Sequence, residues 1–306
     1  MTKTKSLQTP WYNKTINALQ LAGMGDRTQE CYARSVRQLL EYHDKDPRQI
    51  TEQELQEYFL HRRNTSKWSP STLNICYCGL KFFFIHVLQK QWPVFEYLKA
   101  QKENRLPCVL NRDEVFQVLR QVHTFHNYVF LTTVYTCGLR LQEALYLQIS
   151  DIDAKRMMIH VHRGKGAKDR YVPLPEETLV MLRKYWATHR NPVLIFPALG
   201  RGHQDASKSK TPMAIDSVQG AFRSARHKTS INKRRVTIHT LRHSYATHLL
   251  EEGVNIRVIQ RYLGHTMLET TMVYLHLTQK GQEDAYAIIN QTMKGFNNGY
   301  RSGHFS

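Results

Sequence analysis

Apolar and polar positions alternate with a helical period along most of this chain. From Trp11 to Gln20 the spacing predicts a first helix, preceded by residues 1 to 10, which read as a mobile basic lead. The turn from Gly23 to Asp26 leads to Thr28, the expected cap of a second helix with Tyr32, Val36, Leu39 and Leu40 on one face. Thr51 with Glu54 three residues on predicts a capping box ahead of Leu55, Tyr58 and Phe59. Ser69 followed by Pro70 opens a run through Leu73, Tyr77, Leu80, Phe84 and Leu88. Four short amphipathic helices predict a small bundle. Residues 98 to 110 are charged, weakly periodic and broken by Pro107, so they read as a linker with a domain boundary near residue 104.

Asn111 and Glu114 predict another capping box, followed by helical patterns at 112 to 122 and 127 to 137. Gly138 interrupts them and places Arg140 in the first turn of the next helix, with Glu143 three residues on. One stretch then changes period: Ile159 and Val161 alternate with His160 and His162, a glycine-containing turn runs from Gly164 to Lys168, and Arg170 to Leu174 returns. These form an expected antiparallel hairpin with Lys165 near its tip. A helix over 176 to 190, a short extended piece with a polar loop over 191 to 212, and a basic helix over 216 to 229 follow.

The final third is helical again. Leu241, Tyr245 and Leu249 mark a helix on which His239 and Arg242 share a face about a turn apart. Gly253 ends it, and Val254, Val258, Ile259, Tyr262 and Leu263 line the next, which Gly264 closes before His265. Thr266 with Glu269 predicts a capping box for a third helix, expected to carry Tyr274. Ala285, Ile288, Ile289 and Met293 make a short apolar stripe beyond it. The pattern as a whole predicts a mainly α protein with a small antiparallel β-sheet, divided into a helical domain over 1–103 and a second domain over 104–306.

Charge narrows the partner. Among 306 residues, 43 Lys and Arg against 25 Asp and Glu leave a net charge of +18, which calls for a polyanion, nucleic acid first. A membrane surface competes less well: no apolar run reaches the ~18 residues of a spanning helix, and the polar start has no signal-peptide core. A cytoplasmic protein is expected. Cys31, Cys76, Cys78, Cys108 and Cys137, odd in number and scattered, read as reduced thiols, and no zinc-site spacing accompanies them. Neither a metal nor another cofactor is expected. Arg27, Arg34, Arg37, Arg62, Arg63, Lys67 and Lys81 spread basic charge over the first bundle. Arg223, Arg226, Lys228, Lys233, Arg234 and Arg235 crowd together just before His239 and predict a phosphate-binding or groove-binding segment.

His239, Arg242, His265 and Tyr274 carry the candidate chemistry. A guanidinium offers a fixed fork of donors to phosphate oxygens, imidazole moves protons near neutral pH, and a phenol can form a covalent intermediate. Together they suit a pentavalent phosphate under attack by a tyrosine oxygen. From the spacings alone, a packed helix tyrosine and turn-capping histidines fit as well.

The strings HTLRHSYATHLLEEG, IQRYLGH and TTMVYLH, with the tyrosine nine residues after the L-G-H histidine, resemble the tyrosine recombinases of the phage-integrase family. TCGLRLQEAL resembles that family's first catalytic-arginine motif, and GKGAKDRYVPL resembles its catalytic hairpin. The resemblance implies an N-terminal core-binding, SAM-like domain joined to a catalytic domain, the pair closing around double-stranded DNA. It implies that Arg140, Arg242 and His265 hold the scissile phosphate, that His239 assists proton transfer, and that Tyr274 becomes linked to the 3′ phosphate. Lys165 is carried over as the acid for the leaving 5′ oxygen, Glu143 as a residue orienting the site, and Lys168 and Arg170 as alternatives to Lys165 or as DNA contacts. It further implies strand exchange without ATP or metal by a homotetramer on two duplexes, each protomer passing its C-terminal segment to a neighbour. A second recombinase or a DNA-bending protein is a further candidate partner. The compact length is similar to Xer recombinases and mobile-element integrases, without an added arm-binding domain. A type IB topoisomerase-like relaxing enzyme and a non-catalytic DNA-binding accessory protein stand as the alternatives.

Overall fold

Side-chain caps set several of the helix starts. Thr51 Oγ1 accepts the Glu54 N–H at 3.3 Å while Glu54 returns a carboxylate oxygen to the Thr51 N–H at 2.8 Å, opening α3 (Glu52–Asn64). Asn111 and Glu114 exchange the same pair of bonds, both 2.8 Å, to open α6 (Arg112–Arg120). Ser69 caps α4 (Pro70–Phe82), whose first residue is a proline that needs no N–H partner.

The computed structural model describes residues 3–98, 106–162, 169–200, 206–275, 286, 288–292 and 294, with residues 3–9 as backbone only. It divides into two compact units, Met1–Arg105 and Leu106–Ser306. In the first, α1 (Lys3–Leu21) and α2 (Asp26–His43) pack against each other, and α2 packs on α4. The expected lead is therefore helical from Lys3. Thr28 is not a cap: the Gly25 carbonyl already accepts the Thr28 and Gln29 N–H groups at 2.8 and 3.0 Å, so α2 begins earlier and Thr28 lies in its first turn. The run through Leu88 also changes geometry, widening into a π turn over Phe83–Val87. The extra residue in that turn lets the consecutive Phe83 and Phe84 both enter the core with Val36, Leu39, Leu55, Tyr58 and Leu80. A short α5 (Val94–Tyr97) adds Val94 and Phe95. Several basic residues here are locally engaged: Arg27 and Arg34 with Glu30, Arg37 with Glu41, and Arg62 over the rings of Tyr42, Tyr58 and Trp68.

The second unit wraps around α7 (Phe125–Cys137), which packs on α9 (Glu176–His189) and on α11 (Ile238–Glu251). The sheet has three antiparallel strands, β1 (Ile152–Asp153), β2 (Met158–Val161) and β3 (Arg170–Pro173), with Ile159 opposite Val172 and Val161 opposite Arg170. β1 pairs over only two residues, too short for an alternating pattern, and was not expected. The hairpin turn with Lys165 and Lys168 lies outside the described residues. Phe130, Val134, Leu145, Ile159, Val172, Phe196, Phe222 and Leu241 form the main core, to which α10 (Ile215–His227) contributes Phe222. A smaller cluster joins Tyr245, Ala246, Ile259, Leu263 and Tyr274 through α12 (Ile256–Leu263).

The third capping box does not form. Leu268 is the N-cap of a single-turn α13 (Glu269–Met272), with no side-chain cap, and Tyr274 follows in a turn and not inside a helix. Of the terminal apolar stripe, Ile288 and Ile289 are 63% and 55% exposed, while Ala285 and Met293 lie outside the described side chains. All five cysteines are free thiols, and no described helix is long and apolar enough to cross a membrane.

Gly79 is a point of close approach between α4 and α2: a Cβ there would lie 2.9 Å from Tyr32 Cα and 3.3 Å from Ser35 Cβ. Backbone cannot yield as a flexible side chain can. Gly79→Ala is expected to destabilise the first unit by about 1–3 kcal/mol, read as a lowered first transition in thermal unfolding; an unchanged transition would show that the helices have room to separate.

Candidate active site

The carboxyl end of α12 leaves carbonyls without helical donors, and three arginines from elsewhere in the chain supply them. Arg170 Nε donates to Tyr262 O at 2.7 Å, Arg242 Nη2 donates to Leu263 O, and Arg140 Nη2 donates to Gly264 O at 3.2 Å. Positive charge suits this negative end of the helix dipole. The helix stops here because Gly264 takes a left-handed φ of 63°. Any Cβ at Gly264 would also strike Arg170 Cδ at 2.9 Å.

Glu143 binds the same three guanidinium groups. Its carboxylate accepts two bonds from Arg170 at 2.7 and 2.8 Å and one from Arg140 at 2.7 Å, with Arg242 Nη1 at 3.7 Å. It also takes the Arg140 N–H at 2.7 Å, so Arg140 is the N-cap of α8 (Leu141–Leu145) and precedes the first turn where it was expected. Burial alone would raise this carboxyl, but the bonds from Arg170 and then Arg140 hold it down at about 2. Arg242 is 1% exposed, and Nη1 gives a second buried bond to Gly138 O at 2.7 Å. Gly138 is left-handed at 61°, and a Cβ there would meet the Tyr245 ring at 2.4 Å. Burial and then the nearby Arg140 push the Arg242 guanidinium below its ordinary value, with Glu143 opposing. Three cations around one carboxylate leave a positive surplus, the local requirement for holding a phosphate.

Tyr274 lies beside this cluster, 2% exposed, its ring nearly parallel to that of His265 at 6.3 Å. His265 Nε2 faces Arg242 Nη2 at 3.4 Å and Nδ1 faces Thr271 Oγ1 at 2.9 Å. A donor at Nε2 assigns the ring proton to Nδ1, which donates to Thr271. Burial, then Arg242 and Arg140, lower His265 to about 3. Burial raises the Tyr274 phenol above its usual value against the pull of the same two arginines.

The Tyr274 hydroxyl is bonded to His243 Nδ1 at 2.9 Å. Sequence reasoning passed over His243, although it stands next to Arg242 and one turn beyond His239, a spacing that puts both imidazoles on one face of α11. Their rings meet edge to face at 4.6 Å. Burial, then His239 and Arg242, lower His243 to about 4, so it is neutral at pH 7. His239 is exposed at the rim, with its own value lowered by desolvation and then by Arg242 and Arg140. Arg140, Glu143, His239, Arg242, His265 and Tyr274 are thus brought together. Arg140, Glu143 and His239 also line an open cleft shared with Asp151, His160 and His162.

The basic candidates separate. Arg170 points inward here: at 8% exposure, with three donors on Glu143 and Tyr262, it is an internal tie. Lys233 turns inward to Glu114 and the Val109 carbonyl, and Arg226 donates to Lys233 O at 2.8 Å, so these two pin the segment before α11. Lys228 is exposed and adjoins His123, and Arg223, Arg234 and Arg235 are exposed.

Removing the shared carboxylate leaves buried cations uncompensated, so Glu143→Gln is expected to lower stability by about 3–5 kcal/mol in denaturant unfolding. A loss below ~1 kcal/mol, the scale of an exposed ion pair, would mean that the helix carbonyls suffice. His243 and His265 titrate in the folded chain at about 4 and 3, below the unfolded value of ~6.5. The unfolded chain therefore binds more protons in that interval, so this stability is full above pH 6.5 and is lost as pH falls towards 3. The Tm should decline over pH 6.5 to 4, and less steeply in His243→Asn; equal slopes would locate the proton uptake elsewhere.

Residues 78–280 match the phage integrase family and residues 11–94 match its N-terminal SAM-like domain. A putative integrase/recombinase of Sinorhizobium fredii is 36% identical over 272 residues, covering 89% of this chain and 85% of the relative. The tyrosine recombinase XerA of Pyrococcus horikoshii is 33% identical, covering 74% of this chain and 76% of its own. Among solved structures, a lambda integrase tetramer bound to a Holliday junction matches in fold with a TM-score of 0.68, at 17% identity over 86% of this chain and 76% of that one. With both halves of the fold matched and its arginines, histidines and tyrosine gathered at one site, the chain belongs to the phage integrase family and is a tyrosine-type site-specific DNA recombinase.

Proposed function

We propose that this recombinase cuts and rejoins DNA by direct phosphoryl transfer to Tyr274. The phenolic oxygen attacks the scissile phosphorus, the bond to the 5′ oxygen breaks, and the DNA 3′ end is left on the tyrosine as a phosphodiester. Arg140 and Arg242 bear on the non-bridging oxygens, where charge concentrates in the transition state, and His265 joins them as a donor once its ring proton moves to Nε2 and Thr271 donates to Nδ1. The tyrosine proton passes to a neutral imidazole, His243 being the acceptor already in contact and His239 the one nearer solvent. Lys165, outside the described residues, is proposed as the acid for the departing 5′ oxygen. Because the phosphotyrosyl bond keeps the energy of the original link, a 5′ hydroxyl from another strand reverses the step.

The observation that carries this reading is the Tyr274 ring held against His265, which itself faces Arg242, at the end of α12 where the arginines converge. In this conformation the hydroxyl is buried and bonded to His243, so attack requires the turn after α13 to release it towards DNA. Assembly as four protomers on two duplexes is proposed on the precedent of the lambda integrase tetramer. The exposed Ile288 and Ile289 support a C-terminal segment that completes its burial on a neighbour. Residues 1–103 would grip the core site together with the catalytic domain, with Arg223, Arg234 and Arg235 offering phosphate contacts.

Incubated with a chelator and a nicked suicide duplex bearing the cognate site, sought in sequence flanking its gene, the protein is expected to give a covalent adduct on a denaturing gel. Tyr274→Phe should abolish the adduct and leave binding within about twofold of wild type. An adduct that persists in Tyr274→Phe would refute the nucleophile. Binding should also weaken steeply with salt, log K falling by ~0.9 per phosphate neutralised, and a flat dependence would count against a phosphate-dominated interface.

A further inference from the structure

We propose that the open end of the β2–β3 hairpin is a divalent transition-metal site formed by His160, His162 and Asp169. The site rests on geometry alone and does not depend on the phosphotyrosyl reading. His160 lies on β2 and His162 is the residue just past its end, two positions on, so the extended chain directs both to one face. Continuing the register that pairs Val161 with Arg170 places His162 opposite Asp169, immediately before β3. The ladder therefore brings a third ligand type to two imidazoles.

The donor atoms are spaced for one ion. His160 Nε2 is 3.4 Å and His162 Nδ1 is 3.7 Å from the same oxygen, Asp169 Oδ2, and the three residues can each offer one ligand atom within 4.8 Å of the other two. A tetrahedral ion with bonds of 2.0–2.1 Å has ligand-to-ligand edges of about 3.3–3.4 Å. Small side-chain turns close the remaining difference. The His160 ring is stacked on Tyr171 at 4.6 Å and 11°, which limits the planes open to it.

A second, independent observation points to the same ring. Asp151 is 4% exposed; its Oδ2 accepts the Gln148 N–H at 2.8 Å, while its Oδ1 lies 2.7 Å from His162 Nε2. A carboxylate at that nitrogen holds the proton on Nε2 and turns the Nδ1 lone pair towards Asp169, the arrangement by which outer carboxylates orient metal-binding histidines. Two imidazoles and one carboxylate suit Zn2+, Co2+ or Ni2+ and not Mg2+ or Ca2+, which prefer oxygen. The ion would tie β2 to the start of β3 and add positive charge to the cleft that Arg140 and His239 line.

The test is a calorimetric zinc titration of the full chain after chelation and dialysis, repeated on His160→Gln/Asp169→Asn and on Asp151→Asn. With 16 histidines in the chain, stoichiometry and affinity both have to be read. Wild type should bind one more equivalent than the double variant, Asp151→Asn should keep that equivalent with ~10–100-fold weaker affinity, and Mg2+ should give no binding. Equal stoichiometry in wild type and double variant, or no zinc binding by wild type, would overturn the site. Unfolding of the metal-free variants shows whether they keep the fold. Should they lose it, Co2+ added to wild type should give the visible bands of a four-coordinate ion, discharged by one equivalent of zinc, and their absence would equally refute the proposal.

Discussion

Three guanidinium groups held between one carboxylate and the last carbonyls of one helix are the constraint around which the catalytic unit is built. Glu143 alone cannot neutralise Arg140, Arg170 and Arg242, and the carboxyl end of α12 supplies partial charge where a second carboxylate would cancel the field. This divides the labour: Arg170 is consumed internally, Arg242 is locked in place, and Arg140 remains partly open towards the cleft. Gly138 and Gly264 are required twice over, for their left-handed backbone and because a methyl group would strike Tyr245 or Arg170. The main core, by packing α7 against α11, holds Gly138 O against Arg242 and so sets the position of the buried arginine.

The same packing decides the state of Tyr274. Tyr274 belongs to the small cluster of Tyr245, Ile259 and Leu263, and its hydroxyl is satisfied by a neutral histidine. A buried phenol with a raised pKa is a weak nucleophile. On the proposed reaction, Tyr274 would have to leave His243 before it could attack, and the short turn after α13 is the segment that would move.

Much of this was legible along the chain. The Thr51, Ser69 and Asn111 caps, the helix ends at Gly138 and Gly264, and the grouping of His239, Arg242, His265 and Tyr274 all follow from short-range rules that span four residues or fewer, together with family motifs. Those rules failed where two local solutions compete. Thr266 was an adequate cap, yet Thr271 answers His265 instead, and the helix begins at Glu269. His243 was hidden because a histidine beside the motif arginine carries no local signal of which partner it will meet.

By itself, then, the sequence determined the helical class, the hairpin, the excess of basic charge and the candidate residues that the structure gathers, because periodicity, capping and charge are properties of neighbouring positions. Only the tertiary structure decided that Arg170 turns inward to Glu143, 27 residues away, that Arg140 meets Gly264 across 124, and that His243 holds Tyr274 across 31. These contacts depend on which helix end faces which loop once the core has closed. The choice rests on packing and on the cost of leaving a buried charge unpaired, neither of which is written in any window of adjacent residues.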